Sequence, residues 1–310
     1  MKDFLEKVKA VMVGHAIGDA LGVPVEFSTR EELENDPVIN MKGYGTYHVP
    51  AGCWSDDTSM SLCTLEILGK YGLDYNRIME NFGKWYHENK FTPTGVTFDV
   101  GTTCSQAINS YFFGRLSAVE CGERGERSNG NGSLMRIHPV VLYLANKDMA
   151  IEEKIEIIHT VSALTHGHDR SKIGCGIYAF VLLNLLKNPS IDSVTDGLHK
   201  AAAFYKGKTE FCYYNRLVEK NFIITKRKDI ESSGYVVHTL EAAIWCLLTT
   251  KNYKDAVLKA VNLGDDTDTV AAVTGGLAGA LYGYDAIPKE WRNKLIKREY
   301  IENLCNELVK

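Results

Sequence analysis

Residues 264–283 read GDDTDTVAAVTGGLAGALYG, an acidic opening followed by an apolar run with glycines at 275, 279 and 283. Three carboxylates and two hydroxyls occupy the five positions 265–269. The nearly uncharged run 270–284 has 15 residues, fewer than the roughly 20 needed to cross a bilayer. We therefore interpret it as a buried helix whose glycines allow close approach to neighbouring helices, and not as a membrane dimer motif.

The helical pattern extends over most of the chain. Apolar residues recur at three- and four-residue spacing in segments 4–21, 59–70, 76–88, 102–113, 134–145, 151–164, 172–187, 193–206, 237–249, 253–262, 268–282 and 299–309. Alternating β-branched runs are nearly absent, and only residues 36–49 are expected to form an irregular loop or a short hairpin. No Pro/Ser/Gly-rich linker divides the chain. The pattern predicts an all-α fold, a compact helical bundle forming a single domain over residues 1–310.

The composition is that of a folded globular protein. Hydrophobic residues make up 45% and charged residues 24%, which are ordinary globular values. The net charge of −4 provides no basic field for nucleic acid or an anionic membrane. The eight cysteines are scattered without a CxxC pair, so neither a zinc ribbon nor a disulfide framework is indicated. The N-terminus lacks the uninterrupted apolar core of a secretory signal. We expect a cytoplasmic monomer that binds neither nucleic acid nor membrane.

A second acidic cluster, Ser55-Asp56-Asp57-Thr58, precedes the apolar segment 59–70. Its first residues would cap that helix, and capping and metal binding explain this cluster equally well. In residues 265–269, however, the charge density exceeds what capping requires. Carboxylate and hydroxyl oxygens suit Mg²⁺, Mn²⁺ or Ca²⁺, whereas zinc would require His or Cys. If the two helix starts meet, they form an oxygen-lined site for one or two cations, typical of hydrolysis of a charged substrate.

Several other polar residues have ordinary structural roles when taken alone. Glu26 would be a solvated turn residue, and Asp99 would be a helix N-cap. The run Ser128-Asn129-Gly130-Asn131-Gly132-Ser133 has the composition of a tight turn before an apolar helix, although its consecutive amides could also receive a phosphate. His166 and Tyr235 would be surface or core side chains.

Seven motifs occur in an order that resembles the ADP-ribosylglycohydrolase family, which includes the dinitrogen-reductase-activating glycohydrolases. They are GDALGVPVEF (18–27), WSDDTSM (54–60), FDVGTT (98–103), SNGNGSLMRIHP (128–139), THGHDR (165–170), SGYVVHTLEAAIW (233–245) and GDDTDTVAAVTGGLAGALYG (264–283). The ordered set is far more specific than any single motif. The resemblance implies a compact all-α fold with two Mg²⁺ or Mn²⁺ ions and hydrolytic removal of ADP-ribose from a modified target.

The resemblance also implies roles for individual residues. The metal ligands would be Ser55, Asp56, Asp57, Asp266, Asp268 and Thr269, with serine at position 55 where the family more often has threonine. Glu26 and Asp99 would be catalytic carboxylates that handle protons. The substrate-binding residues would be Asn129, Gly130, Asn131, Gly132 and Ser133 for the phosphates and distal ribose, His166 over the ADP-ribose and Tyr235 near the adenosine.

The expected substrate is protein-linked ADP-ribosylarginine, because the chain resembles the bacterial members of the family. An O-linked serine or O-acetyl ADP-ribose, and a module that binds ADP-ribose without cleaving it, are the alternatives. Every metal position keeps an oxygen donor and Asp99 is present, which favours catalysis. His166, His168 and Asp169 could instead indicate a helical phosphohydrolase with histidine ligands, but that hypothesis leaves Glu26 and the cluster at 265–269 unexplained.

Overall fold

The computed structural model describes residues 2–310, and within this range the chain has α-helices, short 3₁₀ turns and no β-strand. The helices are α1 (Lys2–Gly22), α2 (Arg30–Asn35), α3 (Asp56–Tyr71), α4 (Tyr75–Glu88), α5 (Thr102–Phe112), α6 (His138–Ala145), α7 (Ile151–Ser162), α8 (Asp169–Lys187), α9 (Ile191–Phe204), α10 (Val236–Leu248), α11 (Tyr253–Val261), α12 (Thr267–Tyr282), α13 (Lys289–Lys294) and α14 (Arg298–Val309). The predicted all-α fold is confirmed, and residues 36–49 form an irregular loop. The extent of the domain, residues 1–310, stays a prediction.

The helix boundaries differ from the predicted ones where local chemistry overrides apolar spacing. Helix α6 begins at His138, four residues later than predicted, with Pro139 in its first turn. Proline has no amide hydrogen and disfavours helical geometry in the residue before it, so it starts a helix and does not lie inside one. The short charged helix α2 was missed, although a capping box between Thr29 and Glu32 marks its start.

Helices α1 and α12 form the closely packed centre of the fold, and glycines on α1 make this contact possible. A Cβ atom at Gly18 would overlap the carbonyl of Ala271, and one at Gly22 would overlap the backbone of Asp268. The backbones therefore touch along the helix pair. The contact between Gly22 and Asp268 brings the end of α1 to the beginning of α12, which is the geometry that builds the site described below.

The predicted role of the glycines in α12 is confirmed at two of three positions. A Cβ at Gly275 would clash with the carbonyl of Gly14, and one at Gly279 would clash with that of Ala10. For Gly283 the prediction is wrong, because nothing lies within 4 Å of its added Cβ. This residue instead has a φ of 85° and ends α12, a left-handed conformation that glycine adopts without steric cost.

The segment Lys2–Val25, which contains α1, is long and apolar enough to span a membrane by length and composition alone, and its most apolar 18 residues have a mean hydropathy of 1.3. However, 94% of its most apolar part is buried inside the protein. Its neighbours include α12, α14, α11 and α3. This packing accounts for the apolar composition, since a core helix needs the same residues as a spanning one.

Candidate active site

Glu26 is fixed beside the acidic cluster 265–269 by the backbone that follows α1. The amide of Phe27 donates to the carbonyl of Asp265 at 2.8 Å, and the amide of Asp265 donates to the carbonyl of Ser28 at 2.8 Å. Phe27 and Asp265 both have a φ of 65°, which is uncommon for residues with a side chain. The paired hydrogen bonds hold two sharply bent turns together, and Glu26 is carried on one of them.

Three buried carboxylates meet where these turns join. Glu26, Asp266 and Asp268 each place one oxygen so that the three atoms lie within 4.8 Å of one another. Asp266 precedes the first residue of α12, and its Oδ2 accepts a hydrogen bond of 2.6 Å from Nδ2 of Asn131. Glu26, predicted as a catalytic carboxylate, thus lies among the predicted metal ligands.

The two acidic clusters predicted from the sequence meet at Asp57. Its Oδ2 accepts hydrogen bonds from Ser55 Oγ at 3.2 Å and from Thr269 Oγ1 at 3.3 Å. Ser55 is also the N-cap of α3, since its side chain accepts from the amide of Asp57. Helix capping and site formation are therefore compatible at this position, and the hydroxyls of both clusters converge on one carboxylate.

The electrostatics of this group favour a bound cation. Burial, followed by the charge of Asp99, raises the pKa of Glu26 to about 9, and burial with neighbouring carboxylates raises the pKa values of Asp57 and Asp268 well above the usual range. One carboxylate oxygen on each of Glu26, Asp57 and Asp268 is buried without a hydrogen-bond partner. Unpaired buried oxygens of this kind are costly, and hard divalent cations bind such oxygens. The donor set therefore fits Mg²⁺ or Mn²⁺.

A polar cleft of about 230 Å³ opens onto these carboxylates. Its acidic side is formed by Glu26, Asp56, Asp99 and Asp266, together with Thr269. The lining also includes Gly130, Asn131, Gly132, Gly234 and His166, and its remaining residues are Gly101, Thr102, Thr103, Cys104 and Met135. The lining, which lies wholly within residues 2–310, contains neither lysine nor arginine.

Asp99 stands at the edge of the cleft in a strained conformation. Its φ is 53°, in the left-handed region that aspartate tolerates better than most residues. The Oη of Tyr47 donates a hydrogen bond of 2.8 Å to its Oδ1. Burial raises the pKa of Asp99, while the hydrogen bond from Tyr47 opposes that rise. No sequence pattern pointed to Tyr47, which belongs to the irregular loop 36–49.

The glycine-rich turn 128–133 is fastened to the residues before α10. The amide of Asn131 donates to the carbonyl of Gly234, and the amide of Val236 donates to the carbonyl of Asn129, both at 3.0 Å. These bonds form an isolated antiparallel bridge. Because the backbone is anchored on one side, Gly130 to Gly132 present their other side to the cleft.

Three residues predicted to bind substrate have side chains outside the cleft lining. Asn129 is bonded to the carbonyl of Glu126 and to the hydroxyl of Ser171. The hydroxyl of Ser133 is fully buried and bonded to Ser162. Tyr235 precedes α10, and its ring packs edge-on against His238 at 4.9 Å between centroids. Motif membership therefore did not distinguish side chains that line the cleft from those that support it.

The histidines of the motif 165–170 do not form a metal site. His166 lines the cleft, whereas Nδ1 of His168 accepts from the amide of Arg170 and caps α8. Asp169 is exposed. Within residues 2–310, the side chains grouped closely enough to hold a metal are Glu26, Asp266 and Asp268, and none of the three residues of the phosphohydrolase hypothesis is among them.

Asp19 is a supporting residue that sequence reasoning missed. It is fully buried, and its oxygens accept from the amide of Ser55 at 2.8 Å and from the amide and hydroxyl of Thr58 at 3.1 and 2.6 Å. Burial raises its pKa to about 7. Asp19 thus connects the start of α3 to α1. Its membership of the motif 18–27 was the sequence feature that could have identified it.

The fold and the site together define an all-α enzyme with a buried carboxylate centre beside a cleft. The chain belongs to the ADP-ribosylglycohydrolase family, whose family model matches residues 1–310. The predicted family and the predicted class of enzyme, a glycohydrolase, are thereby confirmed.

Related proteins with named activities align with nearly the whole chain. An ADP-ribosylarginine hydrolase of Serratia proteamaculans is 36% identical over 306 residues, spanning 98% of this chain and 79% of that protein. An ADP-ribosyl-[dinitrogen reductase] glycohydrolase of Rhodospirillum rubrum is 30% identical over 295 residues, spanning 94% of this chain and 90% of that protein. A solved structure described as an ADP-ribosylglycohydrolase-related protein complex superposes with a TM-score of 0.84 at 30% identity, covering 99% of this chain and 98% of the other.

Proposed function

We propose that this protein hydrolyses the N-glycosidic bond between ADP-ribose and an arginine side chain of a modified protein, with two divalent cations as cofactors. The observation that carries the proposal is the meeting of buried carboxylates, three with an unpartnered oxygen, at the wall of a cleft. The arginine linkage is supported by similarity to two bacterial ADP-ribosylarginine hydrolases, at 36% and 34% identity.

The proposed cation ligands are the oxygen donors that converge at the starts of α3 and α12. They are Ser55, Asp56, Asp57, Asp266, Asp268 and Thr269, and the position of Glu26 beside Asp266 and Asp268 adds it to this set. When bound, Mg²⁺ or Mn²⁺ would supply positive charge for the carboxylates and binding positions for the hydroxyls of the ribose. Hard oxygen ligands favour these ions over zinc.

Hydrolysis also requires that an attacking water lose a proton and that the departing nitrogen gain one. We assign Asp99 as the group that accepts the proton, because it is half-buried at the cleft edge. Tyr47 holds its carboxylate by a hydrogen bond of 2.8 Å and favours the ionised form that a base needs. Glu26 lies deeper, 6% exposed, and is the second candidate for proton transfer.

The phosphate-bearing part of the substrate is assigned to the part of the cleft lined by the glycine-rich turn 128–133. Gly130, Asn131 and Gly132 present backbone there, and glycine-rich turns of this kind receive phosphate through amides. Asn131 is bonded at the same time to Asp266, so it connects the glycine-rich turn to the proposed metal ligands. The physiological partner in this proposal is an ADP-ribosylated protein, bound in the cytoplasm by a monomer.

The linkage is tested by incubating the protein with arginine-linked and serine-linked ADP-ribosyl peptides and with O-acetyl-ADP-ribose, each with Mg²⁺, Mn²⁺ or chelator. Free ADP-ribose is measured. The proposal expects metal-dependent release from the arginine peptide and none in the Asp99→Asn variant. Release from only the serine or acetyl substrate would reassign the linkage, and binding of ADP-ribose without release from any substrate would identify a non-catalytic reader.

A further inference from the structure

A buried chain of hydrogen bonds leads from the protein core to the histidine of the cleft. The Nη2 of Arg136 lies 2.7 Å from Oγ1 of Thr165, and that oxygen lies 2.8 Å from Nδ1 of His166. Arg136 and Thr165 have no exposed surface. Arg136 is held further by the carbonyl of Val161 at 3.3 Å and by the ring of Phe82, 4.8 Å from its guanidinium carbon.

The direction of this chain follows from proton counting. A guanidinium only donates hydrogen bonds, so the oxygen of Thr165 is the acceptor from Arg136. The single hydroxyl proton of Thr165 then has two possible acceptors, Nδ1 of His166 and the sulfur of Cys104, which also lies close to this hydroxyl. Sulfur is a weak acceptor, whereas an unprotonated imidazole nitrogen is a strong one. The hydroxyl therefore donates to Nδ1, and the ring proton belongs on Nε2.

We propose that Arg136 and Thr165 are positioning residues that hold His166 as the neutral tautomer protonated on Nε2, presenting a hydrogen-bond donor to an acceptor oxygen of the substrate. The ring edge that carries Nε2 lies against Gly130 and Gly132, because a Cβ atom added to either glycine would lie 3.6 or 3.3 Å from Nε2. The substrate side of this statement rests on the proposed function. The tautomer itself does not.

The surroundings keep the ring neutral as well as oriented. Burial, followed by the positive charge of Arg136, lowers the pKa of His166 to about 3. A neutral ring has one donor and one acceptor nitrogen, and the partner of one nitrogen decides the role of the other. His166 is therefore neutral at neutral pH, and its proposed contribution is a fixed hydrogen-bond donor in the cleft.

The tautomer is measured by long-range ¹H–¹⁵N correlation spectra of the full-length protein labelled in its nine histidines, with His166 assigned from a His166→Gln variant. Thr165→Val removes the hydroxyl, Thr165→Ser restores it, and Thr160→Val is the control, because that exposed hydroxyl donates to the carbonyl of Glu156 and takes no part in the chain to His166. Affinity for ADP-ribose is measured on the same samples.

The native protein and the Thr165→Ser and Thr160→Val variants are expected to show protonated Nε2 and unprotonated Nδ1. In Thr165→Val, both tautomers are expected, with ADP-ribose binding weakened about three- to tenfold, the usual effect of losing one neutral hydrogen bond. A proton on Nδ1 in the native protein would overturn the proposal, and so would an unchanged tautomer and affinity in Thr165→Val. Absence of ADP-ribose binding in the native protein, with the expected tautomer, would instead overturn the proposed function.

Discussion

Replacement of Asp268 by asparagine should change the stability of the protein in opposite directions with and without metal. Asp268 is fully buried at the start of α12, and its Oδ2 has no hydrogen-bond partner. One of its oxygens lies within 4.8 Å of oxygens of both Glu26 and Asp266. Asparagine has the same shape without the charge, so the variant isolates the electrostatic contribution of this carboxylate.

The magnitude follows from the geometry. The carboxylate oxygens lie within 4.8 Å of one another, and at that limiting distance two ionised groups repel each other by about 3.5 kcal/mol at an effective dielectric constant of about 20. Because the cluster escapes part of this repulsion by binding protons, the metal-free variant should be more stable than the metal-free native protein by about 1–3 kcal/mol. Metal at about 100 times its Kd stabilises the native protein by about 2.7 kcal/mol, and the variant should lose most of that increment.

The assay is thermal and urea unfolding in chelator and in Mg²⁺ or Mn²⁺, with Asp196→Asn as the control because Asp196 is exposed on α9. At roughly 2–4 °C per kcal/mol, the metal-free variant should melt several degrees above the metal-free native protein and respond little to added metal. A metal-free variant less stable than the native protein, or one stabilised equally by metal, would refute the reasoning.

The contacts around the site also determine the response to pH and to two further substitutions. In chelator, the free energy of unfolding should fall as the pH rises, because the pKa values of Asp19 and Glu26 are raised to about 7 and about 9. The stability that these two groups contribute is complete below about pH 4 and is lost as the pH rises through 7–9. Urea unfolding with and without Mg²⁺ should show a weaker pH dependence when the metal is present. Gly18→Ala should lower the free energy of unfolding by at least about 1–3 kcal/mol, because its Cβ overlaps the α12 backbone, whereas Gly125→Ala, with room for a Cβ, should not. Tyr47→Phe should reduce kcat about tenfold, the effect of losing a hydrogen bond to a charged group, with an unchanged melting temperature; an unchanged kcat would remove Tyr47 from the site.

The fold was largely predictable because apolar spacing reports which helix face is buried. The pattern in 268–282 predicted α12 to within one residue of its observed start. Prediction failed where one residue outweighs the pattern, as with Pro139 at the beginning of α6. The predicted end of α12, residue 282, is the observed one, but Gly283 ends that helix by its conformation and does not have the predicted close-packing role.

The acidic part of the site was predictable because its residues are contiguous in sequence, and carboxylates crowded at a helix start repel one another unless a cation binds between them. The contacts of the supporting residues could not be derived from local spacing, since their partners are remote along the chain. Asp19 bonds to Thr58, and Tyr47 bonds to Asp99, through contacts that no local spacing encodes. Ser133 shows that a motif can also predict too many site residues, because it belongs to a cleft motif while its side chain faces the core.

The central claim is that the carboxylate centre acts through divalent cations to remove ADP-ribose from arginine. Its most direct test is the rate of ADP-ribose release from an ADP-ribosylarginine peptide by chelator-treated protein as Mg²⁺ or Mn²⁺ is restored. We expect no release before metal is added, recovery in the native protein, and no recovery in Asp268→Asn. Full release in chelator, or full recovery in the variant, would contradict the claim.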